Sequence, residues 1–132
     1  MDFERYRIPR SVTEGVRIEL PGTTGAEFLV ALPSQANRKY QAAQQRALSA
    51  GGGAVMGEDN TLDLSNVDIA AYSEARLLAF LDTCVLSFPD GLTRDQLLGD
   101  YYPGAQALFD RALDLAADEE GAAKVATKKF RA

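Results

Sequence analysis

Near the start of the chain, apolar and polar positions alternate in two short runs. GVRIEL and AEFLVAL flank PGTTG. Val16, Ile18 and Leu20 share one face of the first run, and Ala26, Phe28 and Val30 share one face of the second. Placing Leu20 opposite Ala26 sets Ile18 against Phe28 and Val16 against Val30, so both apolar faces coincide. The same register sets Glu19 against Glu27, a like-charge contact. Gly15 to Leu32 is therefore predicted as a β-hairpin. A hairpin alone is marginal in water, so it must pack on helices or join another sheet.

The pattern then changes to a helical period. From Asp68 to Phe88 the chain reads DIAAYSEARLLAFLDTCVLSF, without Gly or Pro. Ile69, Tyr72, Leu77, Phe80, Leu81, Cys84 and Phe88 recur at helical spacing, widened by Leu78 and Val85. This stretch is predicted as the central core helix, capped by Asp68 and stopped by Pro89 and Gly91. Glu74, Arg76 and Asp82 leave it one wet edge and make it too polar to span a bilayer. Upstream, Ser34 is predicted to cap a helix that continues through roughly Leu48. Its inner face is the narrow row Ala36, Tyr40, Ala43 and Ala47. Arg38, Lys39 and Arg46 form a small basic surface, read as solvated.

Between these helices, SAGGGAVMGEDNTLDLS is a flexible loop at 49–65, with Leu62 and Leu64 leading out of it. After the central helix, Thr93 caps a short turn carrying Leu97 and Leu98, with Asp95 near its positive end and Gly99 ending it. Tyr101-Tyr102 precedes Pro103, the expected first residue of a last helix running towards Lys129. Its stripe is Phe109, Leu113 and Ala116, joined by Leu108, Ala112 and Leu115. Gly121 is a place for it to bend or end. Asp118-Glu119-Glu120 followed by Lys124, Lys128, Lys129 and Arg131 suits a helix dipole and is read as a solvated, fraying end. Residues 1–14 form an N-terminal arm in which Tyr6 and Ile8 share one face of a short edge strand, limited by Pro9. The expected fold is α+β: an N-terminal β-hairpin followed by a mainly helical part with three main helices, 15–132 being a single domain.

Composition narrows the function classes. The 132 residues fit one domain, and 46% hydrophobic with 25% charged residues is ordinary for a soluble globular protein. A net charge of −5 disfavours a general nucleic-acid binder. MDFERYRIPR lacks the apolar core of a signal peptide, so a cytoplasmic protein is expected. With no histidine, the commonest general base and metal ligand is missing. Cys84, the single cysteine, can form no intrachain disulfide and lies in an apolar stripe, as a buried thiol would. Gly51-Gly52-Gly53 lacks the P-loop spacing, and Asp59, Asn60 and Asp63 lack that of an EF-hand. Asp110 and Asp114, one helical turn apart, are read as solvating a face. The expectation is no enzyme, no catalytic residues, no cofactor and no metal.

The order of parts resembles the tail assembly chaperones of long-tailed bacteriophages. The likeness lies in the "G-V-x-hydrophobic" strand of GVRIEL, the second strand AEFLVAL, and a helix with an Asn-x-x-Tyr-like motif, here Asn37-Arg38-Lys39-Tyr40. It continues in the apolar end Cys84-Val85-Leu86, the turn Gly91-Leu92-Thr93 and a final helix, AQALFDRALDLAADEEGAAK. It covers about residues 15–126, by layout more than by identity. Many members carry a tryptophan just before the Gly-Leu turn, where Phe88 is the nearest aromatic here; the Gly51–Gly53 loop also departs from the pattern. The resemblance implies a non-enzymatic protein of the infected host's cytoplasm, not present in the mature virion. It would bind the tape measure protein, and in some cases the tail tube protein, before the tail polymerises, by holding amphipathic helices in a groove. It implies no nucleotide, metal, nucleic acid or membrane. Such chaperones are often made in two lengths by ribosomal slippage, and Thr127-Lys128-Lys129 can be encoded by a slippery run. The alternative is a small virion structural protein, a head–tail connector or tail-completion subunit; a metabolic enzyme subunit is the third class.

The candidate partner contacts are Tyr40, Phe88, Tyr101 and Tyr102. The free edges of the hairpin, together with Tyr40, Tyr101 and Tyr102, point to a homo-oligomer. The competing reading has these tyrosines capping the core with only their hydroxyls wet.

Overall fold

The computed structural model describes residues 3, 6–51, 55–56, 62–63 and 69–130, with side chains over 3, 6–47 and 69–121. Its elements are α1 (Arg10–Thr13), β1 (Val16–Glu19), β2 (Glu27–Val30), α2 (Arg38–Gly51), β3 (Val55–Met56) and β4 (Leu62–Asp63). They continue with α3 (Ile69–Thr83), β5 (Val85–Ser87), α4 (Arg94–Leu98) and α5 (Tyr102–Phe130). The fold is α+β: a three-stranded antiparallel sheet, ordered β1-β2-β5, is covered by the long helices.

The hairpin has the register its pattern demands, Val16↔Val30 and Ile18↔Phe28. Ile18, Phe28 and Val30 are buried. Glu19 does stand opposite Glu27. The repulsion is relieved because each carboxylate has another partner: Glu19 Oε1 accepts from Gly25 N at 3.2 Å, and Glu27 Oε2 lies 3.7 Å from Arg17 Nη1. Before the hairpin, Tyr6 and Ile8 are not in a strand; the segment forms the single turn α1 instead. Leu32 N donates to Ser11 O at 3.0 Å and ties that turn to the chain leaving β2. Gly15 links α1 to β1 at φ +84°, with Val30 O 3.1 Å from where a Cβ would stand. Only glycine meets both demands without strain.

The central helix is shorter than its sequence stripe. α3 ends at Thr83, whose hydroxyl donates to Ala79 O at 2.7 Å, and Val85–Ser87 form β5 rather than a further helical turn. The reason is tertiary. β2 has an open edge, and β5 fills it through Leu29↔Ser87 and Val30↔Val85, while Ala31 N donates to Cys84 O at 2.7 Å. The pairing skips Leu86, a bulge that leaves its side chain 51% exposed. At the other end of α3, Ile69 is 61% exposed, so the stripe is buried only from Leu77 onward. Asp68, the expected cap, lies outside the described residues.

α2 begins at Arg38, not after Ser34. Asn37 is its cap: Asn37 Oδ1 accepts from Tyr40 N at 3.1 Å. Ser34 is buried in the turn before it, its carbonyl accepting from Asn37 N at 3.0 Å. Ala43 and Ala47 let α2 lie closely along Ala75 and Ala79 of α3. Within the expected loop at 49–65, α2 reaches Gly51, and β3 pairs with β4 through Val55↔Asp63 and Met56↔Leu62. Gly52, Gly53, Asp59, Asn60 and Leu64 lie outside the described residues.

α4 matches its expectation. Thr93 Oγ1 accepts from Gln96 N at 3.1 Å and Gln96 Oε1 from Thr93 N at 3.0 Å, a reciprocal capping box. α5 starts one residue before Pro103 and does not end at Gly121. Ala105, Leu108, Phe109, Ala112 and Ala116 are its buried row. Phe109 stacks on Phe80 of α3 with ring centroids 4.7 Å apart and meets Tyr40 edge-on at 6.3 Å. Arg76 lies over the other side of this cluster, 5.2 Å from the Phe109 ring centroid, and its Nε donates to Tyr40 Oη at 3.3 Å.

The acidic residues late in α5 are not free. Ser11 Oγ donates to the Glu119 carboxylate at 2.6 Å, and Gln35 N donates to Glu120 Oε1 at 2.8 Å. These contacts fasten α5 at Glu119 and Glu120 to α1 and to the turn before α2; the side chains of Lys124, Lys128, Lys129 and Arg131, the rest of the expected fraying end, lie outside the described residues. Among the described residues, no helix is long and apolar enough to cross a membrane.

Candidate functional site

The four aromatic residues singled out as partner contacts separate in the structure. Tyr40 is 1% exposed, so the core alternative holds for it. Burial pushes its phenol above the ordinary range, opposed by the hydrogen bond and charge of Arg76. Tyr102 is half-buried, its hydroxyl accepting from Gln106 Nε2 at 3.1 Å. Phe88 is half-buried and meets Phe28 edge-on with centroids 6.0 Å apart. Tyr101 alone presents its ring to solvent, at 56% exposure.

Tyr101 stands at an open apolar groove of about 560 Å³, the best candidate for a binding site in the molecule. One wall is the hairpin end, with Leu20, Ala26 and Phe28; the other is α4 and the start of α5, with Leu97, Tyr101 and Gly104. Leu92 and the Pro89-Asp90-Gly91 turn close one end. Gly91, at φ +82°, makes the turn that swings Leu92 back against the core. Phe88, through its contact with Phe28, supports the hairpin wall from behind.

The only charged side chains lining the groove are Asp90 and Asp100. Four of its carbonyls are satisfied internally. Leu20 O accepts from Thr23 N and from Thr23 Oγ1, Pro89 O from Leu92 N, Gln96 O from Tyr101 N, and Tyr101 O from Gly104 N and Ala105 N. The groove therefore offers apolar contact and negative charge rather than a row of ladder partners. Sequence patterning could not find it, because its lining comes from four separated segments; the exposed Tyr101 was the one legible signal.

The chemistry elsewhere is structural. Cys84 is fully buried, and desolvation pushes its thiol up to about 11, against weaker hydrogen-bond effects of Thr83 and Asn37. At neutral pH such a thiol holds its proton. Asp110 and Asp114 are both exposed. Among the described residues, no group of three or more Cys, Asp or Glu side chains could hold a metal ion. Asn37 and Tyr40, the ends of the Asn-x-x-Tyr motif, are joined through the helix cap and form part of the core. Arg38 and Lys39 between them are exposed. No known protein family matches the chain, and neither a curated protein nor a solved structure matches it.

Proposed function

We propose that this chain is a non-enzymatic tail assembly chaperone of long-tailed bacteriophages. It holds the tape measure protein, and in some cases the tail tube protein, in the host cytoplasm before the tail polymerises, and is absent from the finished virion. The observation that supports the reading is the order of parts: two strands followed by a helix that carries Asn37-Arg38-Lys39-Tyr40. The Gly91-Leu92-Thr93 turn of the same resemblance borders the apolar groove. A groove of this kind can cover the apolar face of a long helical client and keep it from aggregating until assembly.

Co-expression with the tape measure protein of the same phage, followed by affinity capture of this chain, tests the reading. The expected result is a soluble complex. A tape measure protein that stays aggregated and uncaptured would overturn it. Recovery of this chain in purified phage particles would favour the head–tail connector or tail-completion subunit instead.

A further inference from the structure

We infer that the groove between the hairpin end and the start of α5 selects a cationic amphipathic helix: one with an apolar face flanked by lysine or arginine. The inference rests on the groove being the client-binding surface proposed above, and specifies the chemistry of its occupant. Three observations lead to it.

The first is charge. Asp90 and Asp100 are the charged residues of the lining, and both are exposed. Asp95, on the outer side of α4, is exposed too. Arg94, at the start of α4, pairs with Asp82, its Nη2 2.7 Å from Oδ1. Other clefts of the molecule carry cations: Arg38 and Lys39 in one, Arg17 and Arg111 in another, Arg46 in a third. The positive end of α5 would by itself favour an anion, but Asp100 stands just before it and already supplies that charge. The overall net charge of −5 steers the same way at longer range.

The second is backbone satisfaction. Because the Leu20, Pro89, Gln96 and Tyr101 carbonyls already accept internal hydrogen bonds, an extended segment laid there would find four acceptors already taken, and its own N–H groups would gain little from them. A helix arrives with its backbone paired. The third is the wall. Leu20 and Leu92 are half-buried apolar side chains of the lining, backed by the buried Phe28 and Leu97, and Tyr101 stands beside them 56% exposed. Tyrosine at the edge of an apolar groove is suited to anchoring a helix by its ring while its hydroxyl stays wet.

The test uses the full chain and two designed helical peptides with the same leucine face, one flanked by lysines and the other by glutamates. Fluorescence anisotropy is read at low and high salt. The lysine peptide is expected to bind about tenfold more tightly than the glutamate peptide, with the gap narrowing at high salt. Asp90→Asn with Asp100→Asn should remove most of the preference, Asp90→Lys with Asp100→Lys should reverse it, and Tyr101→Ala should weaken both peptides. All these positions are exposed, and thermal melting confirms that each variant is folded. Equal binding of the two peptides, a glutamate preference, or no binding of the lysine peptide overturns the inference.

The two proposals can fail separately. Lysine-peptide binding without capture of the tape measure protein leaves the groove chemistry standing and removes the chaperone role. Capture of the tape measure protein undiminished by Asp90→Asn, Asp100→Asn and Tyr101→Ala together does the reverse.

Discussion

Asn37 and Cys84, 47 positions apart in the chain, meet with the amide Nδ2 3.6 Å from the thiol Sγ. The same Nδ2 donates to Leu32 O at 3.1 Å, while Oδ1 caps α2 at Tyr40 N. One buried side chain thus joins the end of the hairpin, the start of α2 and the point where α3 turns into β5.

Asn37→Ala should therefore destabilise the fold by about 1.5–2.5 kcal/mol: about 1 for the lost cap, and the rest for the lost hydrogen bond to the Leu32 carbonyl, which keeps Ser34 N at 2.9 Å as its other donor. Asn37→Asp keeps the cap acceptor but turns an oxygen towards that carbonyl, so it should not rescue the loss. Urea unfolding measures both. A change below about 0.5 kcal/mol for Asn37→Ala would show that the junction does not depend on this residue.

The buried thiol gives the stability a slope at alkaline pH. Cys84 is raised from 9.0 to about 11 by burial, so the folded state holds its proton where the unfolded chain releases it. Stability from this group is complete below about pH 9 and falls as pH rises through about 11, by up to about 2–3 kcal/mol. The phenol of Tyr40, raised by burial as well, acts in the same direction. Denaturant melts at pH 8 and pH 10.5 should show Cys84→Ala losing less stability over that interval than the parent chain. Equal losses would contradict the assignment.

Two glycines should respond oppositely to alanine. At Gly15, φ of +84° and Val30 O at 3.1 Å from the added Cβ predict a loss of about 1–3 kcal/mol. At Gly121, within α5, an added Cβ meets nothing within 4 Å, so Gly121→Ala should gain about 0.5–1 kcal/mol. Differential scanning calorimetry of the two variants gives the signs. A stabilising Gly15→Ala would mean the turn into β1 is not held as described.

Because β5 is held by the edge of β2, its conformation should depend on that edge. A peptide spanning residues 69–88, placed in trifluoroethanol, should be helical beyond Thr83 to about Ser87, since the local pattern there is helical and the sheet is gone. Carbon chemical shifts report this residue by residue. A helix that stops at Thr83 in the peptide as well would locate the break in local sequence instead.

The features legible in the sequence were those whose cause lies within a few residues. The hairpin register follows from two apolar faces of period two that must coincide, so Ile18 had one sensible partner, Phe28. The Thr93–Gln96 capping box is a contact over three positions, and the Leu108–Phe109–Ala112 row repeats at helical spacing. What the tertiary structure decided were choices between local options of similar merit. Ser34 and Asn37 are both good caps. Asn37 was selected because Ala31 N and Leu32 N are bonded to Cys84 O and Ser11 O, and the chain then turns at Pro33, with Ser34 N on Leu32 O, and again at Ser34, with its carbonyl accepting from Asn37 N, so helix geometry begins later. Val85, Leu86 and Ser87 continue an apolar helical stripe on paper. The unpaired edge of β2 outweighs one more helical turn, because it satisfies backbone groups that would otherwise lie buried without partners. The groove was beyond local reading altogether. Leu20, Leu92, Leu97 and Tyr101 belong to four segments, and only the folding of α4 and α5 against the hairpin brings them to one surface.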